Sequence, residues 1–143
     1  MKLEKKQEPD IQSTNTFLSN LSFDLPSDYV SFLKEYDGVK VLDGAFFVPD
    51  LDQKVLLDIL YGVTCPKRFN LLKANEELDG ELPDKSIVIG EDPGGAYILL
   101  TNDGENNGIY FYDYRHFFDQ SDEESNTYFI TDTFQNFLDE LTE

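Results

Sequence analysis

Tryptophan is absent from this 143-residue chain, and cysteine, methionine and histidine occur once each. The single cysteine, Cys65, rules out an intramolecular disulfide. One cysteine and one histidine, His116, cannot supply the close-spaced ligand pairs of a zinc site. A Cys–His nucleophilic couple is formally available, yet nothing around Val63-Thr64-Cys65-Pro66 marks an activated thiol. Basic residues are also scarce: 11 Lys and Arg stand against 29 Asp and Glu, a net charge of −18. Such a field repels phosphate backbones and anionic lipid surfaces, so neither nucleic acid nor membrane is an expected partner. No run approaches the ~18 apolar residues of a membrane helix. The stretch Met1–Pro9 is rich in Lys, Glu and Gln and lacks the apolar core of a secretory signal. The expectation is a cytoplasmic protein.

What remains is apolar and aromatic. Hydrophobic residues make up 40% and aromatics 14%, with twelve Phe and eight Tyr, which is too much for intrinsic disorder. A chain of this length suits one domain that buries its core without staples. Charge is uneven along it. Residues 1–85 carry 16 acids and 10 bases, whereas residues 86–143 carry 13 acids and one base, Arg115. A face specialised for a cation-rich partner is therefore sought in the C-terminal half.

Residues 1–15 are polar and aperiodic and read as a loose arm, with the domain over 16–143. Phe17, Leu18 and Leu21 suggest a short helix within Thr16–Phe23. Tyr29, Phe32, Leu33 and Tyr36 fall at i, i+3, i+4 and i+7, one buried stripe, with Pro26 in the first turn and Gly38 at the end. Val39–Val48 is extended and broken at Asp43-Gly44, a hairpin signal. Leu56–Val63 is ambiguous between helix and strand. Lys67–Leu78 reads as a helix with Phe69, Leu72 and Leu78 inward. Ser86–Ile89, Tyr97–Thr101 and Ile109–Tyr114 form a strand meander joined by glycine-bearing turns. Asp119–Asn126 is an acidic loop, Tyr128–Ile130 a last short strand. A final helix carries Phe134, Phe137, Leu138 and Leu141, with Asp132 and Gln135 as a capping pair.

Candidate chemistry is sparse. Carboxylates are too abundant for their mere presence to select a pair for acid–base work. Asn102–Gly108 lacks the spaced ligands and closing Glu of a calcium loop, and a hairpin turn explains it. Glu91-Asp92-Pro93-Gly94-Gly95 follows a strand as a phosphate loop does, but it carries two acids and is followed by a strand. No catalytic residue, metal ligand or cofactor is therefore assigned.

Three stretches, taken in order, resemble the SUKH superfamily, which includes the Smi/Knr-type proteins. Leu25-Pro26-Ser27-Asp28-Tyr29-Val30-Ser31-Phe32-Leu33 followed by Asp37-Gly38 is similar to its L-P-x-D-Y-x-x-F-L…N-G helix. Ile87–Gly95 is similar to its I-G-D/E-D-x-G-G strand and turn. Ile109-Tyr110-Phe111-Tyr112-Asp113 and Thr133–Leu138 are similar to its I/V-Y-F-W-D strand and S-F-x-x-F-L helix, with Tyr112 in place of Trp. The resemblance spans residues 16–143. It implies an α+β fold with a mixed, mainly antiparallel sheet flanked by helices. It also implies a non-enzymatic role: an immunity protein that binds and neutralises a toxin domain, often a nuclease or deaminase, or else an intracellular regulatory adaptor.

On the immunity reading, an acidic face docks onto the basic cleft of a toxin. The candidates are Glu91, Asp92, Asp103, Glu105, Asp113, Asp119, Asp122, Glu123 and Glu124, with Tyr97, Tyr112 and Tyr114 as exposed anchors, since tyrosine is enriched at binding hot spots. Ordinary strand packing is the competing reading for each tyrosine, and solvation for each acid. The protein itself is expected as a monomer or weak homodimer.

Overall fold

The computed structural model describes residues 2–65, 69–78, 80–113 and 127–141. In chain order its elements are β1 (Lys2–Lys5), α1 (Ile11–Asn20), α2 (Ser27–Glu35), β2 (Val39–Leu42), β3 (Ala45–Val48), a 3-10 turn (Pro49–Leu51), β4 (Gln53–Leu56) and β5 (Ile59–Leu60). There follow α3 (Leu71–Glu77), β6 (Ser86–Glu91), β7 (Tyr97–Thr101), β8 (Gly108–Tyr112), β9 (Thr127–Thr131) and α4 (Phe134–Leu141). Seven strands make one sheet in the order β1-β2-β5-β6-β7-β8-β9, and β3-β4 is a separate hairpin. Each ladder is antiparallel, and an isolated bridge between Gly62 and Asn70 is parallel. The protein is thus an α+β domain with a mainly antiparallel sheet and flanking helices, as the sequence implies.

The core on one sheet face is a chain of aromatic contacts. Tyr29 and Phe32 of α2 each meet Phe134 of α4 at 5.0 Å between ring centroids. Phe137, one turn on, meets Phe46 of β3 at 5.4 Å, and Phe46 reaches Phe111 of β8 at 6.0 Å. The i, i+3 spacing of Phe134 and Phe137 lets a single helix join α2 to the hairpin. The start of α4 is capped from two sides. Thr133 Oγ1 accepts from Asn136 N at 3.1 Å, and Asp28 Oδ2, from the first turn of α2, accepts from Gln135 N at 3.0 Å. The expected Asp132–Gln135 pair does not form. Asp132 lies one residue too early for the cap, so it accepts from the Asn136 side chain instead, while the Gln135 side chain donates to Asp139.

β6 shows how a helix substitutes for a strand. β5 is two residues long and covers only Gly90 and Glu91. Farther back, the Asn75 side chain of α3 accepts from Val88 N at 2.8 Å and donates to Val88 O at 2.9 Å. One side-chain amide thus offers the donor and acceptor of a missing strand residue.

Several expectations are corrected. Within the stretch read as a loose arm, Lys2–Lys5 pairs along the whole of β2, and Asp10 caps α1 by accepting from Gln12 N and Ser13 N. Polar composition hid this because an edge strand needs only one inward side chain, here Leu3. Helix α1 consequently begins at Ile11, earlier than the apolar spacing indicates. Pro26 precedes α2 rather than lying in its first turn. Asp43-Gly44 does not close a β2–β3 hairpin. Asp43 takes a left-handed φ of 59° where the chain leaves one sheet for the other, and β3 pairs with β4. The helix expected over Lys67–Leu78 spans Leu71–Glu77, with Asn70 as its cap, and Leu71 rather than Leu72 faces the core. Leu72 is 47% exposed.

Candidate partner-binding site

Strand alternation divides the sequence candidates between two faces and two ends of the sheet. Glu91 of β6 lies opposite Tyr97 of β7, which lies opposite Tyr112 of β8, so these three share a face. Glu91 and Tyr97 line a pocket of about 240 Å³ beside α3, with Lys73 and Glu77, and Tyr61 Oη donates to Glu91 Oε1 at 3.3 Å. Tyr112 is only 3% exposed. It is a core side chain and not a surface anchor, because residues on both faces of β8 are packed against neighbours.

Asp92 and Asp113 lie on the other face. They line a cleft of about 630 Å³ with Phe111, Tyr128, Pro93 and the β4 strand. Both are more than nine-tenths buried. Asp92 also builds its own turn: its Oδ1 accepts from Ala96 N at 2.7 Å, and its backbone N–H donates to Ala96 O at 2.9 Å. Asp58, buried at the same end of the sheet, pairs with Lys40, and its N–H donates to Glu91 O at 3.1 Å.

Asp103 and Glu105 occupy the β7–β8 turn. That turn follows the Thr101–Gly108 pair, while Asp92 and Asp113 flank the Tyr97–Tyr112 pair. The two ends are about 13 Å apart along the strands. Asp103 Oδ1 accepts from Asn106 N and Glu105 N, and these bonds hold its carboxyl below the ordinary aspartate range. The five described acids, Glu91, Asp92, Asp103, Glu105 and Asp113, therefore do not share one face. Tyr114, Asp119, Asp122, Glu123 and Glu124 lie outside the described residues.

The sequence reading overlooks two groups. The first is apolar: Phe47 is 43% exposed and Leu56 58%, on the outer face of the β3–β4 hairpin, and Leu56 lines the acidic cleft. Alternation within Ala45–Val48 is the available signal, but the extended pattern runs on from β2 and masks the change of sheet. The second is a buried polar node under Asp37. Its carboxylate accepts from Thr64 N at 3.0 Å, from Thr64 Oγ1 and from Gln7 Nε2 at 2.8 Å. Gly62 sits so close that a Cβ there would lie 2.2 Å from the Asp37 carbonyl carbon. Asp37-Gly38 thus does more than end α2: it binds the N-terminal segment and the 62–65 turn into the core.

Cys65 packs against Gly38 and is 1% exposed. Burial, and then the Asp37 carboxylate, push its thiol pKa up, opposed by Lys6. That is the reverse of the environment that activates a nucleophile. Among the described residues no group of three or more His, Cys, Asp and Glu is placed to hold a metal ion. No helix among them is long and apolar enough to cross a membrane.

An antiparallel sheet with helices packed around it, and a cleft at one sheet end lined by two buried acids and the exposed Leu56, define an α+β domain. The model of the SMI1 / KNR4 family (SUKH-1) matches residues 10–140, and the chain belongs to this family. Comparison with curated proteins and with solved structures gives no match.

Proposed function

We propose that the protein is a non-enzymatic binding module, and specifically an immunity protein that neutralises a toxin domain by covering its basic site. The observation that carries this reading is the cleft at one sheet end where Asp92 and Asp113 lie beside the exposed Leu56 of β4. An interface needs apolar area for affinity and charge for encounter and register, and this end offers both. Family membership supports it, since neither immunity nor regulatory binding needs a reacting residue. The acids at the opposite end, Asp103 and Glu105, add to long-range attraction without joining the contact.

The test is capture of partners from the native cells with the tagged full chain, washed at low and at moderate salt. A basic nuclease-like or deaminase-like domain, lost as salt rises, supports neutralisation. With that domain in hand, Glu91→Lys together with Asp103→Lys slows association at low salt and leaves dissociation nearly unchanged. Capture of a cell-wall or housekeeping protein instead assigns the chain to the regulatory adaptors. An on-rate indifferent to both substitutions and to salt removes the electrostatic mechanism.

A further inference from the structure

The β3–β4 hairpin has two long edges, and the molecule treats them differently. On the β3 side, Phe47 N donates to Glu140 Oε1 of α4 at 2.6 Å, so that edge is satisfied by a side chain. Phe47 pairs with Lys54, and a Phe47 N–H turned away from β4 makes this a non-hydrogen-bonded pair. Lys54 must then direct its own N–H and C=O away from β3. The neighbouring bonds agree. Leu57 N donates inward to Gly44 O at 2.9 Å, and Asp58 N donates outward to Glu91 O at 3.1 Å. The N–H groups of residues 54, 56 and 58 therefore face outward; that of Asp58, past the end of β4, meets β6, while its C=O accepts from Val41 N of β2 at 2.8 Å. The backbone N–H groups of Lys54 and Leu56 thus face the edge of β4 that pairs with no further strand among the described residues.

This open edge borders the acidic cleft. Residues of β4 line the cleft together with Asp92 and Asp113. Leu56, 58% exposed, stands at the rim. Open edges are commonly guarded against self-pairing by lysine, and Lys54 fills that place. A second copy of the chain would bring another Lys54 and another acidic surface of net charge −18, so like meets like. A cationic segment instead faces two carboxylates and one ammonium.

We propose that the free edge of β4 accepts an extended, cation-bearing segment of a partner protein, which adds a third strand to the hairpin with a Lys or Arg against Asp92 and Asp113. The proposal deepens the binding reading above and rests on it for the existence of a partner. Backbone pairing with Lys54 and Leu56 supplies sequence-tolerant affinity, and the two acids of the cleft select for charge. Alternate residues of the incoming strand point toward the cleft, so a cation at every second position is the matching pattern.

The probe is an end-blocked six-residue peptide of alternating lysine and valine, titrated into the full chain while amide-proton exchange is followed by NMR. Binding slows exchange of the Lys54 and Leu56 amides about tenfold or more, with little change in the β6–β8 amides. Asp92→Asn with Asp113→Asn weakens the peptide about tenfold, while the amide oxygen introduced in place of the Asp92 carboxylate retains the bond from Ala96 N. Leu56→Pro, tolerable on an edge strand whose N–H faces solvent, abolishes it, whereas Leu56→Thr does not. Peptide binding that leaves the Lys54 and Leu56 amides unprotected overturns the proposal, as does equal binding of a glutamate–valine peptide. The exchange measurement on the unaltered chain decides the matter even if Leu56→Pro does not fold. No toxin is used, so this test can fail while partner capture succeeds, or succeed while capture fails.

Discussion

The phenol of Tyr29 is sealed in the core against Phe134, and its hydroxyl has no hydrogen-bond partner among the described residues. Burial pushes its pKa well above the ordinary 10.0. A polar group in this position subtracts from stability, by about 1–3 kcal/mol for an unsatisfied hydroxyl. Tyr29→Phe is therefore expected to be stabilising by about 1 kcal/mol in urea unfolding. Tyr110→Phe is expected to cost about 1 kcal/mol, since that hydroxyl donates to Asn106 O at 2.6 Å. The same contrast has a pH signature. Above pH 10 the unfolded chain releases the Tyr29 proton and the folded chain keeps it, so stability falls as pH rises. Tyr29→Phe makes that fall shallower; an unchanged slope contradicts the assignment. At Cys65 the raised pKa and 1% exposure predict that a disulfide reagent titrates the thiol at about pH 8 only as fast as the protein opens. Fast, denaturant-independent labelling is the contrary result. Residue types along the chain reveal the lone, unactivated cysteine, but not that Asp92, Asp113 and Tyr112 are buried. Consecutive residues such as Glu91 and Asp92 are equally acidic on paper, and only the pleat and the turn send them to different sides.

At the scale of elements, the parts legible in sequence are those with strong local signals. Helices α2 and α4 carry full apolar stripes, and β6–β8 are short apolar runs set between turns that hold Gly95 and Gly104 at positive φ. What stays hidden depends on distant partners. β1 is a strand because β2 lies beside it, and β3 leaves the main sheet because β5 takes the place next to β2. Asn75 is the sharpest case: an unremarkable helical asparagine that completes β6. Asn75→Ala leaves Val88 N–H and C=O unpaired beside a two-residue strand, and is expected to cost about 2–3 kcal/mol in chemical denaturation. Asn75→Asp keeps the acceptor for Val88 N but loses the donor, and faces Val88 O with a charge. It should do no better than alanine. If both variants are as stable as the parent, α3 is held to the sheet by apolar packing through Leu71 and Leu78 alone.

At the scale of the whole molecule, the charge is plain from composition, but its arrangement is not. Acids sit at both ends of the sheet, and 11 Lys and Arg are too few to neutralise 29 carboxylates, whatever pairs they join; among the described residues these include Lys5–Glu8, Lys6–Glu4 and Lys40–Asp58. Most of the net charge of −18 is thus carried as mutual repulsion that compaction increases. Repulsion between surface charges acts over distances that salt shortens, from a Debye length of about 30 Å at about 0.01 M to below about 10 Å at about 0.3 M. The two acidic ends, roughly 20 Å apart once the residues beyond the paired ends are counted, lie inside the first length and outside the second. Sodium chloride over this range is therefore expected to raise the thermal midpoint by a few degrees, although it weakens capture of a basic partner. Those opposite responses separate the two roles of the charge. A protein whose acids mainly form favourable local pairs would lose stability with salt, and its thermal midpoint would fall. One whose partner is held by apolar contact alone would keep its association rate across the same titration. Measuring melting and association in the same buffers therefore tests whether the acidic surface is a standing cost to the fold that binding relieves.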